Sequence, residues 1–203
     1  MTIKISGSIV LASGSAVRAT LLRNAGIVFE VVRPDVDETR IKSAGLAADK
    51  AVEDVTALLA EAKAEKVAFQ RPDAIVIAAD QMMECEGQWF DKPANLAEAR
   101  ERILHLSGKD HRLITAVEMR RGSEILCRHT GVATLTMRQM TPDFIDHYLE
   151  SAGESVCQSV GAYQLEGLGA QLFDWIEGDF FTILGLPLLT VLDTLRTEGV
   201  IRG

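Results

Sequence analysis

Short runs of apolar, often β-branched residues alternate with longer stretches in which apolar residues recur every three or four positions. The two periods divide the chain into strands and helices. Residues 8–12 form the first apolar run, which ends in Ser13-Gly14-Ser15. A helical stretch over 16–25 follows and stops at Gly26, a residue suited to the turn just beyond a helix. Residues 27–32 read as a second strand ended by Pro34, and the acidic segment Asp35-Val36-Asp37-Glu38 follows as a loop. Residues 44–69, rich in Ala, Leu, Glu and Lys, predict one long helix. The fully apolar run 74–79 lies between Pro72-Asp73 and Asp80 and predicts a strand covered on both faces. Residues 82–84 and 88–90 flank Glu86-Gly87, a hairpin signal.

Residues 96–106 predict a helix ending near Ser107-Gly108, and residues 111–120 and 124–137 two long strands joined at Gly122-Ser123. Thr141-Pro142-Asp143 opens a helix that runs to about Ser151, with Thr as cap, Pro in the first turn and an acid behind it. Residues 161–169 are glycine-rich, 170–176 are strand-like, and Pro187 starts a last helix to about Arg196. Trp89, Trp175 and the phenylalanines fall in apolar patterns and read as core or sheet-face packing. Strands and helices are mixed, without repeats or linkers, which predicts an α/β domain with a mixed sheet.

With 47% hydrophobic and 25% charged residues, the chain is neither disordered nor fibrous, and its 203 residues suffice for one core. One domain spanning 1–203, open to division into two lobes, is the expectation. The net charge of −8 makes the chain a poor candidate for gripping bulk nucleic acid, so no stable nucleic-acid complex is expected. A small anionic ligand is still allowed, because it needs only a few local cations or a bridging metal. Cys85, Cys127 and Cys157 are odd in number and far apart, which predicts free thiols in a reducing cytosol rather than a disulfide framework or zinc knuckle. The longest apolar runs, 74–79 and 183–189, fall far short of the roughly 20 residues of a membrane span. Lys4 precedes the apolar residues 9–12, but about four residues are too few for a signal peptide's apolar region of ~7–15. A cytoplasmic protein without membrane attachment is therefore expected.

Four features carry chemistry. Ser13-Gly14-Ser15 joins a strand to a helix with Arg18 in its first turn. Such a junction aims backbone N–H groups and the positive helix end at one point, as phosphate binding requires. Alone, it reads first as a capped helix start with a surface arginine. Asp80 follows six apolar residues and is expected at the carboxyl end of a central strand, where open α/β sheets place ligands. Asp35, Asp37 and Glu38 are hard oxygen donors suited to Mg²⁺ or Mn²⁺, or else a solvated acidic loop. Lys63 has Leu59 and Val67 four residues to either side, so it borders an apolar stripe, from which it snorkels to water or reaches a buried anion. Lys92, fixed by Pro93, is otherwise a loop lysine. The four histidines show no paired metal-ligand spacing and read as solvated or hydrogen-bonded.

Together these segments resemble the Maf family of nucleotide pyrophosphatases. The matching pieces span residues 11–189 in order. They are Leu11-Ala12-Ser13-Gly14-Ser15 with Arg18, Pro34-Asp35-Val36-Asp37-Glu38-Thr39, Ala62-Lys63-Ala64, Ala79-Asp80-Gln81, Asp91-Lys92-Pro93, Ser107-Gly108-Lys109-Asp110-His111, Gly161-Ala162-Tyr163 with Glu166-Gly167, and Ile176-Glu177-Gly178-Asp179 with Gly185-Leu186-Pro187. The resemblance implies an α/β fold of the Maf/inosine triphosphatase-like kind, a mixed twisted sheet in two lobes around a central cleft. It also implies cleavage of nucleoside triphosphates to the monophosphate and pyrophosphate with Mg²⁺ or Mn²⁺, in the cytoplasm, and a homodimer. Asp80 matches the general base and a metal ligand. Glu38 matches a metal- and substrate-handling position, and Ser13, Ser15, Arg18, Lys63 and Lys92 match phosphate-handling positions.

Some positions depart from the common pattern. Many members have Pro-Arg-Arg after the second serine, where this chain has Ala16-Val17-Arg18. Thymidine/uridine-type members carry Thr after the catalytic acid and Gln in the Gly-Ala-Tyr-x-x-Gln-Gly stretch. Here Gln81 and Glu166 stand there instead, as in members that hydrolyse 7-methylguanosine triphosphate. Two other readings compete: a non-catalytic nucleotide-binding regulator of septum formation, which has no need of a base beside a phosphate clamp, and a phosphomonoesterase, for which no Asp-x-Asp motif opens the chain.

Overall fold

The computed structural model describes residues 8–202; Lys4 lies outside them. The chain folds into two compact units. One holds the described part of Met1–Gln81 with Thr115–Gly131 and Asp179–Gly203; the other holds Met82–Ile114 and Val132–Gly178.

The first unit is built on β1 (Ile9–Ala12), which pairs in parallel with β2 (Glu30–Val31) and with β3 (Ile75–Cys85). Residue alternation along β1 and β3 sorts side chains onto two faces. Ile9, Leu11, Ile75, Ile77 and Ala79 pack with Leu22 of α1 (Ala16–Asn24) and Val191 of α7 (Leu188–Thr197). Val10, Ala12, Val76 and Ala78 face Ala64, Val67 and Ala68 of α3 (Val52–Gln70). This second face is mostly alanine and valine, so α3 can approach the sheet closely. Within α3 the buried positions include Val52, Val55, Thr56, Leu59, Ala60, Lys63, Ala64 and Val67, a helical stripe that contains the lysine.

The sheet has seven strands in the order β2-β1-β3-β5-β6-β7, with β4 (Gln88–Phe90) paired antiparallel to β3. The hairpin of β5 (Asp110–Arg121) and β6 (Glu124–Met137) turns at Gly122-Ser123, and β7 (Phe173–Glu177) pairs antiparallel with β6. In the second unit α4 (Leu96–Leu106) packs on α5 (Pro142–Ala152), whose N-cap is Thr141. His111 is buried there, its Nε2 2.6 Å from the Tyr163 hydroxyl and its ring beside Phe173.

The mixed α/β class is as expected, but several elements differ. The predicted helix over 44–69 is two helices, α2 (Glu38–Ala47) and α3, separated where Asp49 takes a positive φ of 50°. A Cβ at Gly45 would overlap Val55, so glycine lets α2 lie against α3. Glu38 is not in a loop; it is the first residue of α2, behind the Asp37 cap. The second strand shrinks from 27–32 to two residues. The strand predicted over 74–79 runs on to Cys85, so Asp80 is mid-strand rather than at its carboxyl end. Its charge ended the apolar pattern without ending the strand, although β1 stops opposite Ala78. A short α6 (Phe180–Ile183) was not foreseen. Trp175, on β7, is 65% exposed and Phe69, on α3, is 90% exposed, so neither is core, and Phe69 packs on no sheet face. All three cysteines are free thiols. No helix among the described residues is long and apolar enough to cross a membrane.

Burial lowers the His111 pKa to about 4, with Asp110 opposing it weakly. The folded state thus holds this imidazole neutral, while the unfolded chain takes up a proton below about 6.5. Stability from this group is complete above that value and is lost as pH falls through 6.5 toward 4. The loss reaches about 3 kcal/mol. Urea unfolding followed between about pH 7 and pH 4 should therefore lose roughly one proton's worth of pH dependence in His111→Gln.

Candidate active site

Alternation along β3 sends Asp80 to the same face as Val76 and Ala78, toward α3. There it meets Lys63, one helical turn before Val67. Lys63 Nζ donates to Asp80 Oδ1 and lies 2.8 Å from Glu38 Oε1. Lys63 and Asp80 are both buried, while Glu38 is half-exposed at the start of α2. Burying a carboxylate in mid-strand is costly without a partner, and Lys63 supplies one.

Helix α3 is held on its other flanks by a second ionic network. Arg120 Nη2 lies 3.1 Å from Glu65 and 3.4 Å from Glu61, the residues two positions to either side of Lys63. Glu118, almost fully buried, binds both Arg120 and Arg128, the latter at 2.7 Å. The sequence reading missed this network, because its members lie on β5, β6 and α3 and only the folded hairpin brings them together.

The junction between β1 and α1 is the capped helix start that the sequence predicts, but its arginine is not on the surface. Ser15 caps α1 by accepting from Arg18 N at 3.4 Å, and Ser13 Oγ accepts from Ser15 N at 3.2 Å. Arg18 turns inward rather than to the surface. Its Nε donates to Gly185 O at 2.6 Å and its Nη1 to Ala79 O at 2.7 Å and Ser13 Oγ at 3.1 Å. Burial pushes the Arg18 pKa down, and the charges of Asp80 and Glu38 push it back up. These acceptors are neutral, so they fix the guanidinium without cancelling its charge. Gly185 has a φ of 92°, a conformation that favours glycine, and it brings the carbonyl to Arg18.

Gln81 points to the opposite face from Asp80. Its Nε2 donates to Thr115 Oγ1 at 2.9 Å, Ile183 O at 3.0 Å and Thr182 O at 3.1 Å. The donors of this side chain are thus committed inside the first unit and tie β3 to α6. Ser13, Ser15, Arg18, Glu38, Lys63, Asp80 and Gln81 all belong to this unit. Lys92 and Glu166 belong to the second unit, both on exposed segments. Sequence reasoning also missed Arg102 there. Its Nη1 donates to Asp91 O at 2.8 Å and to Val160 O, and its guanidinium stacks 4.4 Å from the Phe90 ring centre. It thereby joins the segment carrying Lys92 to the Gly161-Ala162-Tyr163 segment that precedes Glu166.

Glu38 and Asp80 each place one carboxylate oxygen on Lys63 Nζ, so an ammonium fills the point they share; carboxylates of this kind are the hard oxygen donors that a divalent cation takes. A cavity of about 380 Å³ in the first unit is lined by residues including Lys50, Asp54, Glu118 and Arg128. None of the site residues named from the sequence lines it.

The model of the Maf-like protein family matches residues 8–198. The nucleoside triphosphate pyrophosphatase of Paramagnetospirillum magneticum is 51% identical over 189 residues, covering 93% of this chain and 97% of the relative. The 7-methyl-GTP pyrophosphatase of Mesorhizobium japonicum is 47% identical over 195 residues, covering 96% and 98%. The 7-methyl-GTP pyrophosphatase of Brucella abortus is 43% identical over 203 residues and covers both chains fully.

Removing Lys63 should strand a buried carboxylate. Lys63→Met is expected to cost about 3–5 kcal/mol in urea unfolding. The double variant Lys63→Met/Asp80→Asn should recover part of that loss, which a double-mutant cycle measures.

Proposed function

We propose, on the premise that this chain belongs to the Maf-like protein family, that it is a nucleoside triphosphate pyrophosphatase. It splits the bond between the α- and β-phosphates and releases the monophosphate and pyrophosphate. The 203 residues act as one functional domain in the cytoplasm, without a nucleic-acid or membrane partner, and the chain pairs as a homodimer. The observation that carries the reading is the convergence of Asp80, Lys63 and Glu38, with Arg18 near enough for both acids to act on it. The names of the relatives support the same chemistry, and nothing found favours a non-catalytic regulator.

In this mechanism Asp80 orients a water in line with the α-phosphorus and takes its proton. Lys63 holds one carboxylate oxygen, so the acid keeps a single orientation while the other oxygen faces the water. Arg18, whose acceptors are neutral, holds phosphate oxygens and stabilises the negative charge that builds up toward the leaving pyrophosphate; Lys92 keeps the phosphate-handling role that the resemblance gives it. Ser13 and Ser15 shape the β1–α1 junction, whose helix end favours anions. Glu38 and Asp80 would hold Mg²⁺ or Mn²⁺, which offsets charge on the phosphates when bound. A net charge of −8 does not prevent this, because surface charges are screened beyond roughly 8–10 Å.

The base is read by Glu166, with a lean toward modified purines. Guanine presents N1–H and N2–H₂ side by side, and methylation at N7 adds a positive charge. A carboxylate accepts both hydrogen bonds and attracts that charge. Gln81 is assigned to the same preference by the resemblance, and its amide nitrogen also anchors α6.

Phosphorus NMR of the reaction with a panel of nucleoside triphosphates, including 7-methyl-GTP, should show pyrophosphate as the product. Orthophosphate released in place of pyrophosphate, with the nucleoside diphosphate left behind, would instead favour the phosphomonoesterase reading. Asp80→Asn should lower kcat by about 10²–10⁴-fold. A separate comparison concerns the base: Glu166→Gln should reduce the ratio of 7-methyl-GTP to UTP turnover by about tenfold or more. An unchanged ratio removes Glu166 as the selector and leaves the pyrophosphatase reading intact.

A further inference from the structure

The Asp80 cluster leaves unused a group of side chains in the second unit that differs from it in chemical character. Cys85 ends β3, Glu86 begins the turn into β4, and His105 lies in the last turn of α4. One ligand atom from each, a thiol sulfur, a carboxylate oxygen and a ring nitrogen, lies within 4.8 Å of the other two. Among the described residues this is the one trio of such groups close enough to hold an ion. A second observation points the same way. His105 is partly exposed, but its Nε2 atom is buried and has no hydrogen-bond partner, whereas buried polar atoms are nearly always satisfied.

We propose that Cys85, Glu86 and His105 form a binding site for a borderline-soft divalent cation of the Zn²⁺ class, separate from the hard cation that accompanies a nucleotide. Sulfur and imidazole ligands select this class, whereas Mg²⁺ takes oxygen. Ligand bonds of about 2.0–2.3 Å place tetrahedral donors roughly 3.5 Å apart. The trio must therefore contract by at most about 1.3 Å, and Glu86 is the member best able to move because it is exposed at a turn. Two contacts yield on binding. Cys85 gives up the hydrogen bond its thiol makes to Asp110 O at 3.3 Å, and Glu86 gives up its 2.7 Å ion pair with Lys109. The S–H bond breaks, the sulfur–metal bond forms and the proton passes to solvent. Water completes the shell. The bound ion would clip the β3–β4 turn to the end of α4.

Titration of the full-length, reduced protein with Co²⁺ tests this, because a thiolate ligand gives Co²⁺ a charge-transfer band that oxygen-only sites do not. The band should saturate at one equivalent, be bleached by Zn²⁺ and persist in excess Mg²⁺. It should disappear in Cys85→Ser and weaken sharply in His105→Ala, a partly exposed position, so the proposal does not hang on the folding of one variant. It should survive in Cys127→Ser and Cys157→Ser. Lys109→Ala, which releases Glu86 from its exposed ion pair, should tighten binding by up to about fivefold. A titration without the band, a band retained in Cys85→Ser or in His105→Ala, or a Lys109→Ala variant that binds no tighter overturns the site.

Discussion

A carboxylate in the middle of a buried strand has to be neutralised or matched by an opposite charge, and the first unit is organised around that requirement. Asp80 cannot face the apolar cluster that contains Leu22 and Val191 without great cost. The alternation of β3 sends it to the other face, where the core consists of alanines and valines and α3 lies close. Only a long, flexible cation on the buried stripe of that helix can reach it, and Lys63 occupies that place. The same ammonium draws Glu38 inward from the start of α2. One ion pair thus fixes the registers of a strand and a helix and the entry of a second helix. The network around Glu118 and Arg120 holds α3 at Glu61 and Glu65 and keeps the lysine from withdrawing. A pair of this kind adds little net stability compared with apolar packing, and its value lies in the geometry it specifies.

Much of the fold was legible because period and punctuation agreed. Thr141-Pro142 marks a helix start whose cap is present in the structure, and Glu86-Gly87 marks a hairpin that forms. The failures share a physical cause. A charged residue ends a hydrophobic pattern whether or not it ends the strand, so Asp80 was placed at a strand terminus when β3 runs five residues further. Composition likewise carries no mark of a left-handed residue, so the break at Asp49 was invisible in a stretch full of helix formers. For Trp175 the apolar pattern leaves core and sheet face open, and the structure puts it on an exposed face of β7.

For the candidate site, residue types and order could be read, but partners could not. Lys63 and Asp80 are 17 positions apart and Arg18 and Gly185 are 167 apart, so only topology decides that they meet. The chain's own pattern left Lys63 a choice between water and a buried anion, and the fold supplies the anion. The local pattern around Arg18 predicts a surface residue beside a helix cap, and the fold turns it inward. For Gln81 the motif position suggests contact with a ligand, and the fold adds an anchoring role that the sequence does not show, its amide nitrogen donating to Thr115, Thr182 and Ile183. Arg102 and the Glu118 network had no signal in spacing at all.

Two of the three atoms that grip Arg18 are main-chain oxygens, those of Ala79 and Gly185. Peptide carbonyls are present whatever side chain a position carries. Exchanging Ala79 for another small residue would leave its half of the grip in place. The orientation of this arginine is thus insulated from genetic drift at Ala79, and it becomes vulnerable where the path of the chain itself depends on glycine.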